Sequence, residues 1–180
     1  RAQAIAQLDA ALGATRLYGV ETNRQYLQQI LAFAPFAEGE PWTRCLEGLS
    51  YSATTFEVLS AGTQTTVQDY PGRQGYWAVG VPPSGPMDSR ALRLGNALLG
   101  NASTEAALEM TLSGPTLKFN TDAVAVVTGA AMNITLDGAD APMNTVFTVP
   151  AGSTLRLGEV SGAGVRSYLC LRGGIHVPDY

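Results

Sequence analysis

The chain has 180 residues, of which 46% are hydrophobic and 14% charged, with a net charge of -4 at pH 7. That is enough apolar material for a sizeable buried core and excludes wholesale disorder. Arginine supplies all but one of the eleven cations, Lys118 is the single lysine, and no basic cluster occurs, which excludes a general nucleic-acid binder. The longest purely apolar run, Ala123 to Val127, is about five residues and cannot span a bilayer.

At the N-terminal end Ile5, Leu8 and Leu12 stand at i, i+3 and i+7, which predicts a helix that Gly13 can end. Arg16 to Gly19 is short and reads as one strand. Thr22 and Asn23 then offer caps to a second helix with Tyr26, Leu27, Ile30 and Leu31 on its apolar face, stopped by Pro35. Pro41 to Leu49 reads as irregular or short helix. Two helices and one strand cannot close a core, so residues 1–49 read as the tail of a larger domain. The small, polar stretch from Gly48 to Thr55 supplies a linker, placed at residues 50–55.

From Phe56 the pattern changes to short β-branched or alternating runs. They are Phe56 to Leu59, Thr65 to Asp69, Leu108 to Leu112, Thr116 to Phe119 and Val124 to Thr128, then Asn133 to Leu136, Thr145 to Val149, Thr154 to Leu157 and Arg166 to Leu171. Turn signals such as Gly114-Pro115 and Asp137-Gly138 separate them. One helix interrupts, capped by Asp88, apolar at Ala91, Leu92, Leu94, Leu98 and Leu99, and closed by Gly100. The fold class is mainly β with a helical N-terminal appendage: an antiparallel barrel or sandwich, expected as a β barrel with one covering helix. Both ends read as cut, since Arg1 opens directly into an amphipathic pattern and Tyr180 follows a strand and turn with no stop. The expectation is an internal piece of a longer polypeptide.

The densest polar segment, Thr65 to Asp88, holds four glycines and four prolines between a strand and a helix. A long, stiff loop of this kind is a natural place for function. Arg73 either holds a carboxylate in its fork of donors or braces the loop against Asp69. Asp88 is either a plain helix cap or part of an anion site at the helix start. Glu109 reads as structural, exposed or paired, and Trp42 and Trp77 as packing residues. His176 is the only histidine, so a multi-histidine zinc site is excluded within the chain and no metal site is expected. Cys45 and Cys170 lie far apart without a C-x-x-C arrangement and read as buried, reduced thiols of a cytoplasmic protein.

The Thr65 to Asp88 segment, continued by RALRLGNALLGN (Arg90 to Asn101), ALEMTLSGPTLKF (Ala107 to Phe119) and VTGAAM (Val127 to Met132), resembles a known domain. It is similar to the first half of the carboxyltransferase domain of the urea carboxylase, 5-oxoprolinase and allophanate-hydrolase-subunit family. The likeness covers about Phe56 to Tyr180. The head, ending in Gly19 to Leu49, looks like the end of a biotin carboxylase domain, an order that matches urea carboxylases and not free-standing members.

The resemblance implies cyclophilin-like β barrels and biotin-dependent carboxylation. ATP, Mg and bicarbonate would serve a carboxylase portion upstream, biotin would ride on a carrier domain, and urea would be carboxylated to allophanate for an allophanate hydrolase downstream. Neither nucleic acid nor membrane is an expected partner. Urea has four N–H donors and one acceptor. Arg73, Asp88 and Asp69 are therefore expected as catalytic residues, and Gln68 and Ser84 as substrate-binding ones. The alternatives are a guanidine carboxylase, a 5-oxoprolinase component or a partner-binding regulator of the family. A fragment without the remaining domains is expected to be inactive.

Overall fold

A computed structural model describes residues 1–17, 22–40, 42–51 and 53–177. The chain divides into two compact units, Arg1–Ala53 and Thr54–Tyr180, and the division falls inside the 50–55 segment.

In the first unit, alanine-rich α1 (Ala2–Ala14) has no buried residue, whereas α2 (Arg24–Ala32) buries Leu31. Side-chain hydrogen bonds join the two: Gln28 Nε2 donates to Asp9 Oδ1 at 2.9 Å, and Arg24 Nη1 to the Leu12 carbonyl at 2.9 Å. Pro35 does not simply stop α2. It lies in the first turn of another short helix, α3 (Ala34–Glu38), where a missing N–H leaves no bond unmade. A single 3-10 turn follows at Cys45–Gly48 and buries Cys45. Of the expected Arg16 to Gly19 strand, Arg16 and Leu17 are irregular, and Tyr18 and Gly19 lie outside the described residues. Among the described residues this unit holds no strand to supply a ladder for it.

The second unit is built from β1 (Phe56–Ser60), β2 (Gln64–Gln68), α4 (Ser89–Leu99), β3 (Ala107–Thr111), β4 (Thr116–Phe119), β5 (Ala123–Gly129), β6 (Met132–Leu136), β7 (Ala139–Asp140), β8 (Phe147–Val149), β9 (Thr154–Val160) and β10 (Arg166–Leu171). All ladders are antiparallel and form two five-stranded sheets, ordered β1-β4-β9-β6-β7 and β2-β3-β10-β5-β8. Period-two alternation turns Leu117, Phe119, Ile134, Leu155 and Leu157 of one sheet toward Leu108, Met110, Val127, Val149 and Leu169 of the other, and these residues form a shared core. Leu117 and Leu155 are fully buried, and each such side chain contributes about 1.5–3 kcal/mol.

The other face of the second sheet is covered by α4, whose Ala91, Leu92 and Leu99 pack with Ala107, Val126, Tyr168 and Cys170. Gly95 lets the helix approach: a Cβ there would lie 2.5 Å from Cys170 Sγ. Asp137-Gly138, both with positive φ, make the two-residue turn between β6 and β7.

The expected barrel is not closed by these ladders. Among the described residues β1, β7, β2 and β8 are sheet edges. The sheets are linked where the chain after β3 meets β9: Ser113 and Glu159 form a bridge, and the Val160 N–H donates to the Leu112 carbonyl at 2.7 Å. Closure depends on which distant strands pair, and a period-two pattern does not encode that.

Candidate functional site

Residues 69–88 leave the end of β2 and return to the start of α4 as a loop pinched near its base. Arg73 and Ser84 exchange backbone bonds, Arg73 N–H to Ser84 carbonyl at 2.7 Å and Ser84 N–H to Arg73 carbonyl at 3.1 Å. The approach is too close for a side chain at Gly72, where a Cβ would run into the Ser84 carbonyl. Arg73 Nε also donates to Ser84 Oγ at 3.0 Å. Asp69 forms no ion pair with Arg73 among the described residues.

The other end of the loop is fastened to the second sheet. Glu109, buried on β3, accepts at Oε2 from the Met87 N–H (2.8 Å) and the Tyr168 hydroxyl (2.5 Å). That hydroxyl in turn accepts from the Asp88 N–H at 2.8 Å, and Arg166 lies 3.4 Å from Glu109 Oε1. Burial, then the bond to Glu109, pushes the Tyr168 phenol well above its ordinary pKa. A charged, buried acceptor thus holds two backbone groups in place before α4 begins.

Between the loop base, the chain ahead of β3 and the segment after β10 lies a cavity of about 470 Å³. Val67 and Ile175 supply apolar lining, and Asp69, Arg73, Tyr76, Glu105 and His176 the polar groups. The Ile175 N–H donates to the Ala106 carbonyl at 3.0 Å, which brings the last of these segments alongside the others. A guanidinium, two carboxylates, an imidazole and a phenol therefore surround one space. Those groups can hold a small molecule bearing both a carboxylate and N–H donors, and they include a proton acceptor. No group of three or more His, Cys, Asp or Glu among the described residues is placed to hold a metal ion.

The predicted residues are distributed unevenly around this space. Asp69 and Arg73 line it together, and Ser84 stands behind Arg73 as its hydrogen-bond partner. Gln68 points to the opposite face of β2: it pairs with Ala107, its Nε2 donates to Thr66 Oγ1 at 3.1 Å, and its Oε1 is buried with no partner. The Asp88 carboxylate accepts from the Arg90 and Ala91 N–H groups at 3.1 Å each, as a helix cap, and does not line the cavity. Glu105 and His176 were not among the predicted site residues. Glu105 has no local signal, because only strand pairing brings it near residue 73; His176 was visible only as the sole imidazole.

Trp42 and Trp77 do not pack as expected, being 60% and 70% exposed. Both cysteines are free and buried, one in each unit. No helix among the described residues is long and apolar enough to cross a membrane.

The family described as carboxyltransferase domain, subdomain A and B, matches residues 79–180. Over all 180 residues the chain is 43% identical to the urea amidolyase of Saccharomyces cerevisiae and covers 10% of that protein. It is similar to the crystal structure of Kluyveromyces lactis urea carboxylase, with a TM-score of 0.86 and 47% identity over 98% of this chain and 16% of that one. With a 5-oxoprolinase component from Escherichia coli it shares 41% identity over 124 residues, 68% of this chain and 39% of that protein. The chain thus spans only a small part of the length of each of these relatives.

Proposed function

This chain belongs to the family of carboxyltransferase domains, subdomains A and B, and from that premise we propose that it is part of a biotin-dependent urea carboxylase. The observation that carries the reading is the meeting of Asp69, Arg73, Glu105 and His176 around one cavity in a chain 43% identical to a urea amidolyase throughout.

The reaction would form a bond between a urea nitrogen and the carboxyl carbon as that carbon's bond to a biotin ring nitrogen breaks, and the proton lost by the urea nitrogen would end on that ring nitrogen, giving allophanate and biotin. Arg73, with Nε held by Ser84, has its terminal N–H groups without partners among the described residues, and these suit carboxyl oxygens. Asp69 and Glu105 accept N–H bonds from the amide and orient it. His176, which lines the same cavity, takes up the proton as the general base. Biotin, when bound, supplies the carboxyl group, and the donor set here fits that carboxyl end. The fastened loop keeps these groups from reorganising as charge develops.

Within the same proposal, residues 1–49 form the tail of a biotin carboxylase domain that uses ATP, Mg and bicarbonate, and residues 50–55 the linker. The two sheets correspond to a cyclophilin-like barrel, the carrier domain and an allophanate hydrolase are the partners, and the cytoplasm is the location. The 5-oxoprolinase reading has the Escherichia coli protein in its favour, yet that likeness reaches 68% of this chain against the whole of it for the urea amidolyase.

Arg73→Ala in the full-length protein should lower urea-dependent turnover by on the order of 100-fold. ATP cleavage driven by free biotin without urea should continue. Unchanged urea-dependent turnover would remove this cavity from the reaction, and guanidine run alongside urea identifies the acceptor.

A further inference from the structure

A second cavity, of about 440 Å³, lies on the outer face of the β1-β4-β9-β6-β7 sheet. Its central group is Arg156. In the register Thr116 stands directly opposite Arg156 on one side and Thr135 on the other, so the guanidinium side chain rises between two hydroxyls on one face. The neighbours Leu117, Leu155, Leu157 and Ile134 point the opposite way, into the core. Arg156 has no ion pair or hydrogen bond among the described residues, although Asp140 continues the same row one strand beyond Thr135.

Two β-bulges bracket this row. On β1 the register moves from Val58 opposite Leu117 to Ser60 opposite Thr116, so one extra residue turns Ser60 onto the face of Thr116. On β9 it moves from Leu157 opposite Ile134 to Val160 opposite Met132, so Gly158 and Glu159 together oppose Asn133. That extra residue turns Glu159 to the face of Arg156 while Val160 stays against the core. Gly158 is needed for the closeness of this crossing, since a Cβ there would meet the Asn133 carbonyl at 3.0 Å. Without the bulges, strict alternation would place Ser60 and Glu159 on other faces.

We propose that this cavity is a second binding site, for a small carboxylate that also carries amide or ureido N–H groups. Arg156, flanked by Thr116 and Thr135, takes the carboxylate, and Glu159 with Ser60 and Asn133 takes the N–H end. Glu159 lies three positions after Arg156 along the strand, at most about 10 Å away, a span suited to a molecule of a few heavy atoms in length. A lone anion would satisfy Arg156 and leave Glu159 facing it, so a two-ended ligand is favoured over phosphate or acetate. The site does not depend on the first cavity carrying carboxyl transfer.

The test is calorimetric titration of the full-length protein with hydantoate, a carboxylate joined to a ureido group, with acetate and methylurea as one-ended controls. Hydantoate should bind at millimolar or lower concentration, and acetate and methylurea each about tenfold more weakly. Arg156→Gln should weaken hydantoate by about tenfold or more and Glu159→Gln by several-fold, as expected for loss of charge-assisted bonds. Both positions are exposed, and unchanged melting temperatures should accompany the losses. Because the first cavity can hold a molecule of the same chemistry, the titration is repeated on Arg73→Ala protein, in which the Arg156-dependent binding should remain intact. The proposal is overturned by no heat from hydantoate, by acetate binding equally well, or by loss of the signal in Arg73→Ala but not in Arg156→Gln.

Discussion

Tyr168→Phe removes one oxygen from the fastening between the loop and the sheet and leaves the buried ring in place. The lost hydroxyl donates to a carboxylate at 2.5 Å and accepts from the Asp88 N–H at 2.8 Å. A bond to a charged acceptor contributes about 1.5–3 kcal/mol. The Asp88 N–H adds at most about 1 kcal/mol, because Asp88 is exposed and water can replace the phenol. Phenylalanine avoids burying a hydroxyl, which offsets a fraction of this. The net cost is about 2 kcal/mol, a roughly thirtyfold shift in the opening equilibrium.

Hydrogen exchange of the β3 and β10 amides reads this directly, because it reports opening of this unit separately from the helical one. Those amides should exchange roughly thirtyfold faster in the variant. The difference has a pH signature. Since the folded phenol pKa is raised, its contribution is fully present below pH ~10, the unfolded value, and is lost as pH rises above it. Denaturant midpoints of wild type and variant should therefore converge in strong alkali. A difference below about 0.5 kcal/mol at pH 7, against the range expected for a charged bond, would mean that the hydroxyl is solvated and does not hold the loop.

Gly95→Ala sets helix propensity against packing. Alanine gains about 1 kcal/mol in the helix. Its Cβ would meet Cys170 Sγ at 2.5 Å and Thr128 Oγ1 at 3.2 Å, and overpacking of that kind costs about 1–3 kcal/mol. The variant should be less stable by exchange, and Cys170→Ala should restore part of the loss. Asp88→Ala should cost about 1 kcal/mol through the lost cap, whereas Asp88→Asn, which caps as well, should preserve both stability and turnover. Lower turnover in a stable Asp88→Asn protein would return that carboxylate to the reacting site. Burial pushes the Cys170 thiol from 9.0 up to about 12, so stability present below pH ~9 should fall as pH rises toward 12. In a Cys45→Ser protein the remaining thiol should resist labelling until the unit unfolds; rapid labelling at neutral pH would contradict its burial.

Much of the second unit was legible because local rules agree there. Asp88 and Gly100 bound α4 at the residues where a cap and a left-handed residue are needed. The alternation of Leu117 and Phe119, or Leu155 and Leu157, announces strands with one buried face. β7 escaped notice since two residues carry no periodicity, and the 3-10 turn Trp77–Val79 since three carry no more. Of the site, the polar loop was visible as composition, and Asp69 and Arg73 with it. Glu105 was invisible, because it reaches the cavity only through the pairing of β3 with β2 and β10.

Sequence alone determined the longer strands of the second unit, the covering helix and the stiff loop, because each follows from residues within a few positions of one another. Tertiary structure decided that the strands form two sheets, that Asp88 serves the helix while Glu109 serves the loop, and that Arg156 and Glu159 share a face. Those outcomes depend on register, and a shift of one residue reverses which side chains are brought together.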